Sequence, residues 1–389
     1  MPKTIAITPS WYWPAGVPRV AGVPPFGVHE MLVERRARLR PDEPAVVSGS
    51  LRLTGAELAE QVTTAASALA GRVEPGSQAV LSAGASVEGV VLLLAALAAG
   101  LPLRLHGGSD DAGVGAFGAA VGLADDHGAG ALASTGLPVV RLADLTTAGG
   151  APRPLSQREP ALALAAGTET VWHSHRGILG GAISLQTFLQ AGPERPWLST
   201  FPLSSWQGLY GITAPLMAGA TLVLAEPGEA PLDAIVREGV GYAFMDLDAA
   251  FTLTRESKRD VKSVRGVLTA LLLSVDGPFD SDQRRRVGRL FEAPALTVYG
   301  RPETGPIFAS HPSWYLDEAV GIPSPTPTSS PSTPARETPS RPSGSSSSRP
   351  WSPCGHRCSP SATKATPTPN ASATAASSPA SSPPPTPTA

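Results

Sequence analysis

The sequence predicts an α/β fold with largely parallel sheets, followed by a disordered tail over residues 323–389. Strand and helix patterns alternate through the first 150 residues, as is typical of strand–helix–strand units. The longest apolar run, residues 90–99, is too short to cross a bilayer and is typical of a buried helix. After Pro323 the chain contains no Leu, Ile, Val, Phe, Met or Tyr. Such a segment has no apolar core to bury, so it cannot offset the entropy lost when its backbone is ordered.

Local patterns predict the first elements of the chain. A first helix has one buried face, formed by apolar residues at helical spacing: Val28, Met31, Leu32 and Leu39. Residues 45–47 and 51–53 flank a Ser-Gly-Ser turn and predict a short β-hairpin. Thr54, followed three residues later by Glu57, is the pattern of a capping box that begins a second helix.

The next elements follow the same alternation. Residues 78–81 predict a strand, and residues 87–99 predict a helix that ends at Gly100. Residues 101–105 then predict another strand. A strand, a helix and a second strand in this order favour a parallel sheet.

Composition excludes several classes of function. The formal net charge is −2 at pH 7, which favours neither nucleic acid nor an anionic membrane as a partner. No charged N-terminal segment leads into an apolar stretch, so a secretory signal is not expected. Both cysteines, Cys354 and Cys358, lie in the tail, so the core uses no disulfide. We therefore expect a cytoplasmic protein without a membrane span.

Four sequence blocks resemble the opening of a known enzyme family. They are residues 41–46, 53–58, 73–77 and 93–100. In this order they resemble the AMP-forming adenylating enzymes, which include acyl-CoA synthetases, aryl-acid ligases and the adenylation domains of peptide synthetases. The resemblance implies the family's large N-terminal domain, with stacked β-sheets between helices, over residues 1–322.

Residues 165–177 resemble the family's phosphate-binding loop, in which small residues let backbone N–H groups approach ATP. The resemblance places Gly167, Thr168 and Thr170 near the phosphates. The second glycine, the proline and the lysine of the family loop are absent, and Glu169 introduces a negative charge. Two interpretations stay open: a shortened loop that still contacts ATP, or a plain strand-to-helix turn that has lost its ligand. The loss of several charge-assisted contacts favours the second.

Two further blocks resemble the segments that surround the acid in this family. In residues 201–211, Trp206 either shapes a carboxylate pocket or fills the core, and Ser205 stands where the family commonly has a His or an aromatic residue. In residues 271–279, the resemblance places Asp276 and Gly277 near the acid. The three arginines that follow, residues 284–286, are typical of the solvated face of a helix.

Residues 297–305 resemble the family's Tyr-Gly-x-Thr-Glu motif. The resemblance places Tyr299 and Gly300 at adenine and Glu303 at Mg²⁺. Pro302 occupies the threonine position, and a proline offers neither a hydroxyl nor an N–H group. Nucleotide binding is therefore expected to be incomplete at this position.

The resemblance as a whole implies ATP-dependent activation of a small carboxylic acid. The acid would form acyl-AMP with ATP and Mg²⁺, and CoA or an acyl carrier protein would supply the accepting thiol. Residues 320–323 resemble the start of the next family block, beyond which the C-terminal domain and its catalytic lysine are not found. We therefore assign no catalytic residue and expect impaired activity. The alternative is a non-catalytic remnant that acts as a binding domain or has no function.

The origin of the tail also has two explanations. A frameshift near Pro323 would interrupt the family pattern in the middle of a block, as observed. A genuine Pro/Ser/Thr-rich tail would have the same composition. The interruption favours the frameshift.

Overall fold

Two stacked sheets of mainly parallel strands organise the chain. The computed structural model describes residues 13–74, 76–107, 114–115, 117–147, 149–153, 156–256, 261–277, 279–311, 320–323 and 325–329. All of these residues belong to one structural unit. The remainder of the predicted tail, from residue 330 onwards, lies outside the described residues, as do the two cysteines.

The described strands are numbered in chain order. They are β1 (Val20–Val23), β2 (Pro44–Ser48), β3 (Leu51–Thr54), β4 (Ala79–Ser82), β5 (Leu103–Leu105), β6 (Val121–Ala124), β7 (Val139–Val140), β8 (Pro160–Ala166), β9 (Glu169–Ser174), β10 (Trp197–Ser199), β11 (Leu222–Leu224), β12 (Tyr242–Asp246), β13 (Ala270–Val275), β14 (Ala295–Arg301), β15 (Gly305–Ala309), β16 (Ile322–Pro323) and β17 (Thr326–Ser329).

The strands form a nine-stranded sheet, a six-stranded sheet and a small two-stranded sheet. The larger sheet has the order β16-β15-β14-β13-β12-β10-β11-β2-β3, and the smaller has the order β7-β6-β4-β5-β8-β9. The inner strands of both sheets are parallel. Antiparallel strands close the edges, with β15 and β16 at one end of the larger sheet and β9 at one end of the smaller. The expectation of largely parallel sheets is confirmed.

The described α-helices are also numbered in chain order. They are α1 (Arg35–Leu39), which continues a π-helical segment (Glu30–Glu34), α2 (Gly55–Arg72), α3 (Val87–Ala99), α4 (Ala129–Leu132), α5 (His175–Leu189), α6 (Trp206–Ala218), α7 (Pro231–Glu238), α8 (Leu247–Glu256) and α9 (Ser281–Phe291). None of these helices combines the length and the apolar character that a bilayer span requires.

Helices α3 and α5 lie between the two large sheets. Helix α3 contacts β4 and β6 of the smaller sheet and β2 of the larger, and α5 contacts β8, β9 and β15. In α3 every residue except Glu88 is buried, which explains why its sequence is apolar on all sides. Helices α8 and α9 contact β12, β13 and β14 and contribute to a second hydrophobic cluster. The expected arrangement of stacked sheets between helices is confirmed.

Several local predictions are confirmed at the level of individual residues. Strands β2 and β3 pair as the expected hairpin. The Thr54 backbone N–H donates to Glu57 Oε2 at 2.8 Å, and the Glu57 N–H donates to Thr54 Oγ1 at 3.2 Å, so both halves of the capping box form. Helix α3 ends at Gly100, whose φ of 78° is the left-handed conformation that glycine adopts without a steric penalty.

The buried face of the first helix differs from the prediction. Leu39 was expected to face the core, but it is 67% exposed, and Arg36 is buried instead. The π-helical segment before α1 has wider turns than an α-helix, so it rotates the residues that follow to a different face. Two backbone carbonyls receive the Arg36 guanidinium: it donates to Ala220 O at 3.0 Å and to Pro44 O at 2.6 Å.

The prediction for the three arginines of α9 is wrong at Arg284. This side chain is 1% exposed, and its guanidinium carbon lies 5.9 Å from the ring centroid of Phe279. Arg284 shares one face of the helix with the buried residues Val287 and Phe291, three and seven positions later. Arg285, in contrast, makes an exposed ion pair with Asp282, as a solvated helix face would.

Ordered structure continues past the expected start of the tail at residue 323. Strand β16 pairs with β15, and β17 pairs in parallel with β1. The described strands therefore extend to residue 329. Main-chain hydrogen bonds hold such strands, and these bonds need no apolar side chain. Apolar composition alone therefore could not locate this boundary.

Candidate functional site

The predicted nucleotide residues Tyr299 and Gly300 lie at the carboxyl end of β14. Tyr299 is in register with Val275, the last residue of β13, so Asp276 and Gly277 follow directly beside it. The carboxyl ends of parallel strands meet at one edge of a sheet, where α/β proteins commonly bind ligands. The structure thus brings two of the predicted groups together, those of β13 and β14.

Arg301, which sequence reasoning did not select, covers Tyr299. Its Nε donates a hydrogen bond to the Tyr299 hydroxyl at 3.1 Å, and its guanidinium carbon lies 5.8 Å from the ring centroid. This hydrogen bond, with the charge interactions of Glu303 and Asp276, raises the pKa of the exposed Arg301. The sequence feature that could have identified Arg301 is its position directly after Tyr299 and Gly300, at the variable position of the Tyr-Gly-x-Thr-Glu motif.

Trp206 packs beneath Gly300. The indole is 4% exposed, and a Cβ added at Gly300 would lie 2.8 Å from Trp206 Cη2 and 2.5 Å from the Gly305 carbonyl oxygen. Glycine is therefore required at position 300 by this close approach. Of the two alternatives for Trp206, the observed burial favours core packing, and any role at the site is to support the end of β14.

Ser205 serves as the N-cap of α6. Its Oγ accepts a hydrogen bond from Gly208 N at 2.9 Å and donates one to Pro202 O at 2.9 Å. Both bonds are local, so the hydroxyl stabilises the start of the helix. The expected place of Ser205 in the acid pocket gains no support from these contacts.

A cavity of about 300 Å³ lies where β12 and β13 end. Asp276 and Gly277 line it, together with the acidic residues Asp246, Asp248 and Asp280. Asp246 and Asp280 accept backbone N–H groups at 2.8 Å and so also stabilise the starts of α8 and α9. The acidic lining disfavours phosphate inside this cavity.

The predicted phosphate loop is a tight β-hairpin between β8 and β9. Ala166 pairs with Glu169, so Gly167 and Thr168 alone make the turn. Gly167 has a φ of 62°, as the first turn position of such two-residue hairpins requires. The segment is therefore a strand-to-strand hairpin, and the expected turn into a helix comes only after β9. Strand pairing holds Ala166 and Glu169 on either side of the two turn residues.

The Thr170 side chain has a hydrogen-bond partner on β5. Its hydroxyl oxygen accepts a hydrogen bond from Nη1 of the buried Arg104 on β5. The ring of Phe117 lies 5.9 Å from the Arg104 guanidinium carbon and stacks on Trp172 at 5.3 Å. These contacts fix β9 against the sheet, while the Thr170 hydroxyl, as the acceptor, keeps its own proton to donate.

His173 joins the hairpin to the turn between β14 and β15. Its Nε2 lies 2.6 Å from the Pro302 carbonyl oxygen, and since a carbonyl can only accept, Nε2 carries the proton. Burial lowers the pKa of His173, while the bond to Pro302 and the charge of Glu303 act in the opposite direction. Sequence reasoning quoted His173 only as part of a motif and gave it no role.

Glu303, the predicted Mg²⁺ ligand, is exposed in the same turn. No group of three or more His, Cys, Asp or Glu side chains suited to a metal ion occurs in the part of the chain that the structure describes. A single carboxylate does not fit Mg²⁺ unless bound phosphates supply further oxygen ligands. The end of β14 carries an aromatic ring, that of Tyr299, and a cation, Arg301, that lies against it.

His175 links α5 to the first helix. Its Nδ1 accepts a hydrogen bond from Val28 N at 3.2 Å, and the ring is 1% exposed. Burial, and then the neighbouring His29, lower the pKa of His175 to about 4. The imidazole is therefore neutral at pH 7, with Nδ1 as the acceptor.

Acid should destabilise the fold through His175. An unfolded histidine has a pKa of about 6.5, so between pH 6.5 and 4 the unfolded state binds more protons than the folded state. The free energy of unfolding should therefore fall as the pH falls, by about 3 kcal/mol over this interval. Denaturant unfolding at several pH values measures the slope. His175→Gln should flatten it, the exposed His127→Gln should not, and an unchanged slope in His175→Gln would contradict the assignment.

The comparison with protein-family models gives one match. The model described as "AMP-binding enzyme" matches residues 33–103 and 170–331. These segments cover more than half of the chain and include β12 to β15 and the ends of β13 and β14. The tip of the β8–β9 hairpin, residues 167–169, lies outside them. No curated protein matches the sequence.

Solved structures share the fold. FmoA3, a nonribosomal peptide synthetase with AMPPNP bound, aligns with a TM-score of 0.67 at 23% identity, over 79% of this chain and 37% of its own. The N-terminal subdomain of NpsA from Klebsiella oxytoca, in complex with 3-hydroxyanthranilyl-AMSN, gives 0.66 at 21% identity, over 78% and 80%. The o-succinylbenzoate CoA synthetase MenE from Bacillus subtilis, with a product analogue bound, gives 0.66 at 19% identity, over 76% and 64%. The chain thus spans well under half of FmoA3.

Proposed function

Because the chain belongs to the AMP-binding enzyme family, we propose that it activates a small carboxylic acid with ATP, at a rate limited by its short phosphate hairpin. The acid carboxylate would attack the α-phosphate of ATP, giving acyl-AMP and pyrophosphate. The acyl group would then pass to the thiol of CoA or of a carrier protein. We place this reaction in the cytoplasm because the sequence before residue 354 contains no cysteine for a disulfide.

One observation carries the proposal: Tyr299 and Gly300 lie beside the end of β13, at the edge of a parallel sheet and next to a cavity. The half-buried Tyr299 ring would pack against adenine. Gly300 lets the backbone lie directly on Trp206, which supports the end of β14 from below. These residues would position the reactants, and positioning supplies much of the rate of group transfer.

The hairpin explains why the rate should be low. The lysine of the family's phosphate loop is absent, and Glu169 introduces a negative charge there. Pro302 occupies the position of the motif threonine. Each charge-assisted hydrogen bond contributes about 1.5–3 kcal/mol. Losing two of them would weaken the grip on the phosphates by roughly a hundredfold or more.

A binding domain without turnover is the second candidate. The contact between His173 and Pro302 favours it, since a protein hydrogen bond of 2.6 Å already joins the hairpin to the β14–β15 turn. We expect a site closed by this hydrogen bond to bind part of a nucleotide more readily than it positions a triphosphate for reaction. The two candidates differ in whether acid-dependent chemistry occurs.

Pyrophosphate release across a panel of aliphatic, aryl and amino acids tests the proposed function. We expect slow, acid-dependent release from the full chain with ATP and Mg²⁺. Glu169→Lys should raise it about tenfold, because a cation replaces an anion at the hairpin tip. Glu60→Lys, the same change at an exposed site on α2, should leave it unaltered.

The outcomes separate the two candidates. Acid-dependent release that rises in Glu169→Lys supports acid activation. If neither protein releases pyrophosphate with any acid while ATP or AMP still raises the melting temperature, the chain binds nucleotide without turnover.

A further inference from the structure

We propose that Arg301 is the anion-binding residue of this site, and that its guanidinium binds the α-phosphate of an adenine nucleotide. The inference rests on the proposed function, because it assumes that the nucleotide lies at the end of β14. It assigns to Arg301 the positive charge that the hairpin does not supply.

The distribution of cations around the site supports this assignment. The lysines of the sequence are Lys3, Lys258, Lys262 and Lys364, none of which lies in the hairpin or the Tyr-Gly motif. Arg104 is buried behind the hairpin, where it donates to Thr170. The neighbouring side chains of β13 and of the β14–β15 turn include the carboxylates of Asp276 and Glu303. Of the cations named here, Arg301 is the one that lies against Tyr299, where it can supply the counter-charge of a phosphate at this edge of the sheet.

Arg301 is also held ready for a ligand. Its Nε is bonded to the Tyr299 hydroxyl at 3.1 Å, which fixes the side chain along the ring. Within the described residues, Arg301 forms no ion pair with a carboxylate, and Nη1 and Nη2 make no hydrogen bond. Other surface arginines differ: Arg237 pairs with Glu229, and Arg153 pairs with Glu159 at 3.2 Å. The two Nη groups form a fork that matches two phosphate oxygens.

The backbone around Arg301 is constrained as well. The Thr304 N–H donates to the Arg301 carbonyl at 3.2 Å, closing the turn. The ring of Pro302 fixes its own φ and restricts the backbone of the preceding residue, Arg301, and His173 bonds the Pro302 carbonyl at 2.6 Å. A residue that is already ordered loses less conformational entropy when it binds, so this turn favours affinity. The hydrogen bond between His173 and Pro302, which joins the hairpin to the β14–β15 turn, thus also helps to orient Arg301.

The charges nearby set the expected behaviour of the site. The hydrogen bond to Tyr299, and then the charges of Glu303 and Asp276, raise the pKa of Arg301, so the guanidinium is charged at neutral pH. The same carboxylates compete with an anionic ligand. We therefore expect AMP binding to weaken with salt, while the binding of uncharged adenosine should change little.

Affinity for AMP and for adenosine, measured by calorimetry on the full chain, tests the inference. Arg301→Gln should weaken AMP binding at least about tenfold and leave adenosine binding within about twofold. Arg301→Lys should lie between, since an ammonium keeps the charge but loses the fork. Arg289→Gln, an exposed arginine on α9, is the matched control and should alter neither affinity. Arg301 is exposed, so these variants should fold.

Each outcome decides the matter. Equal AMP affinity in the wild type and Arg301→Gln overturns the inference, as does a wild type that does not bind AMP. Loss of AMP affinity in Arg301→Gln without pyrophosphate release from any acid supports the inference while the proposed function fails. Acid-dependent pyrophosphate release together with unchanged AMP affinity in Arg301→Gln supports the proposed function and overturns the inference about Arg301.

Discussion

Trp206→Ala should lower the free energy of unfolding by about 3–5 kcal/mol. The indole is 4% exposed and lies between the end of β14 and Phe244, with ring centroids 6.4 Å apart in the latter pair. Its removal leaves a cavity beneath Gly300, and the residues around a cavity of this size relax only in part. The support of the Tyr299 segment is lost at the same time, so nucleotide affinity should fall as well. Denaturant unfolding of the full chain measures the first effect.

Trp172→Ala is the matched control for this prediction. Trp172 is 39% exposed on β9 and stacks on Phe117, so its loss should cost less than about 1.5 kcal/mol. The comparison also decides between the two interpretations of Trp206. A small stability change with a large loss of acid affinity would identify it as a pocket wall and would contradict core packing.

Gly305→Ala should cost about 2–4 kcal/mol, for two reasons that add. Gly305 has a φ of 67°, and a Cβ there would lie 2.5 Å from Cε2 of the fully buried Tyr210. On its other side the same ring approaches Gly181 of α5, where a Cβ would lie 2.3 Å from Cε1. The ring therefore cannot move away without displacing a helix. Because Gly305 begins β15, the strain should also displace the turn that carries Arg301 and Glu303.

Gly228→Ala separates the two causes. Gly228 has a φ of 83°, but a Cβ there would meet nothing within 4 Å. This variant carries the backbone penalty alone and should cost about 1 kcal/mol. If Gly305→Ala lowers the free energy of unfolding no more than Gly228→Ala does, a Cβ at position 305 does not clash with Tyr210, which contradicts the prediction. Thermal unfolding of both variants under one buffer condition provides the comparison.

The features that the sequence predicted correctly depend on neighbours close in the chain. Thr54 and Glu57 bond each other across one helical turn, and Gly100 ends α3 because the next conformation is left-handed. The alternation of strands and helices predicted the parallel sheets from neighbouring elements in the same way, because a crossover helix fixes the direction of the strand that follows it. The resemblance of ordered blocks located Tyr299 and Gly300, and the structure places them beside Asp276 and Gly277.

The features that sequence reasoning missed depend on residues far apart in the chain. Arg36 is buried because the carbonyls of Pro44 and Ala220 receive it, and His173 has a role because Pro302 lies 129 positions away. The shortened phosphate segment looked like an isolated turn, but its residues pair as a hairpin at the edge of a sheet. Gly167, Thr168, Thr170 and Glu303 stay predictions as ligand contacts.

The sequence alone determined the family pattern, the alternating architecture and the local caps and turns, because these follow from periodicity and from contacts within a few residues. The tertiary structure alone decided which polar groups have protein partners: the Thr170 hydroxyl accepts a hydrogen bond from Arg104, and the Pro302 carbonyl is bonded to His173. It also decided that Arg301 lies against Tyr299 and forms no ion pair among the residues that the structure describes. The reason is physical: whether a polar group is available to a ligand depends on what folding has placed within about 3 Å of it.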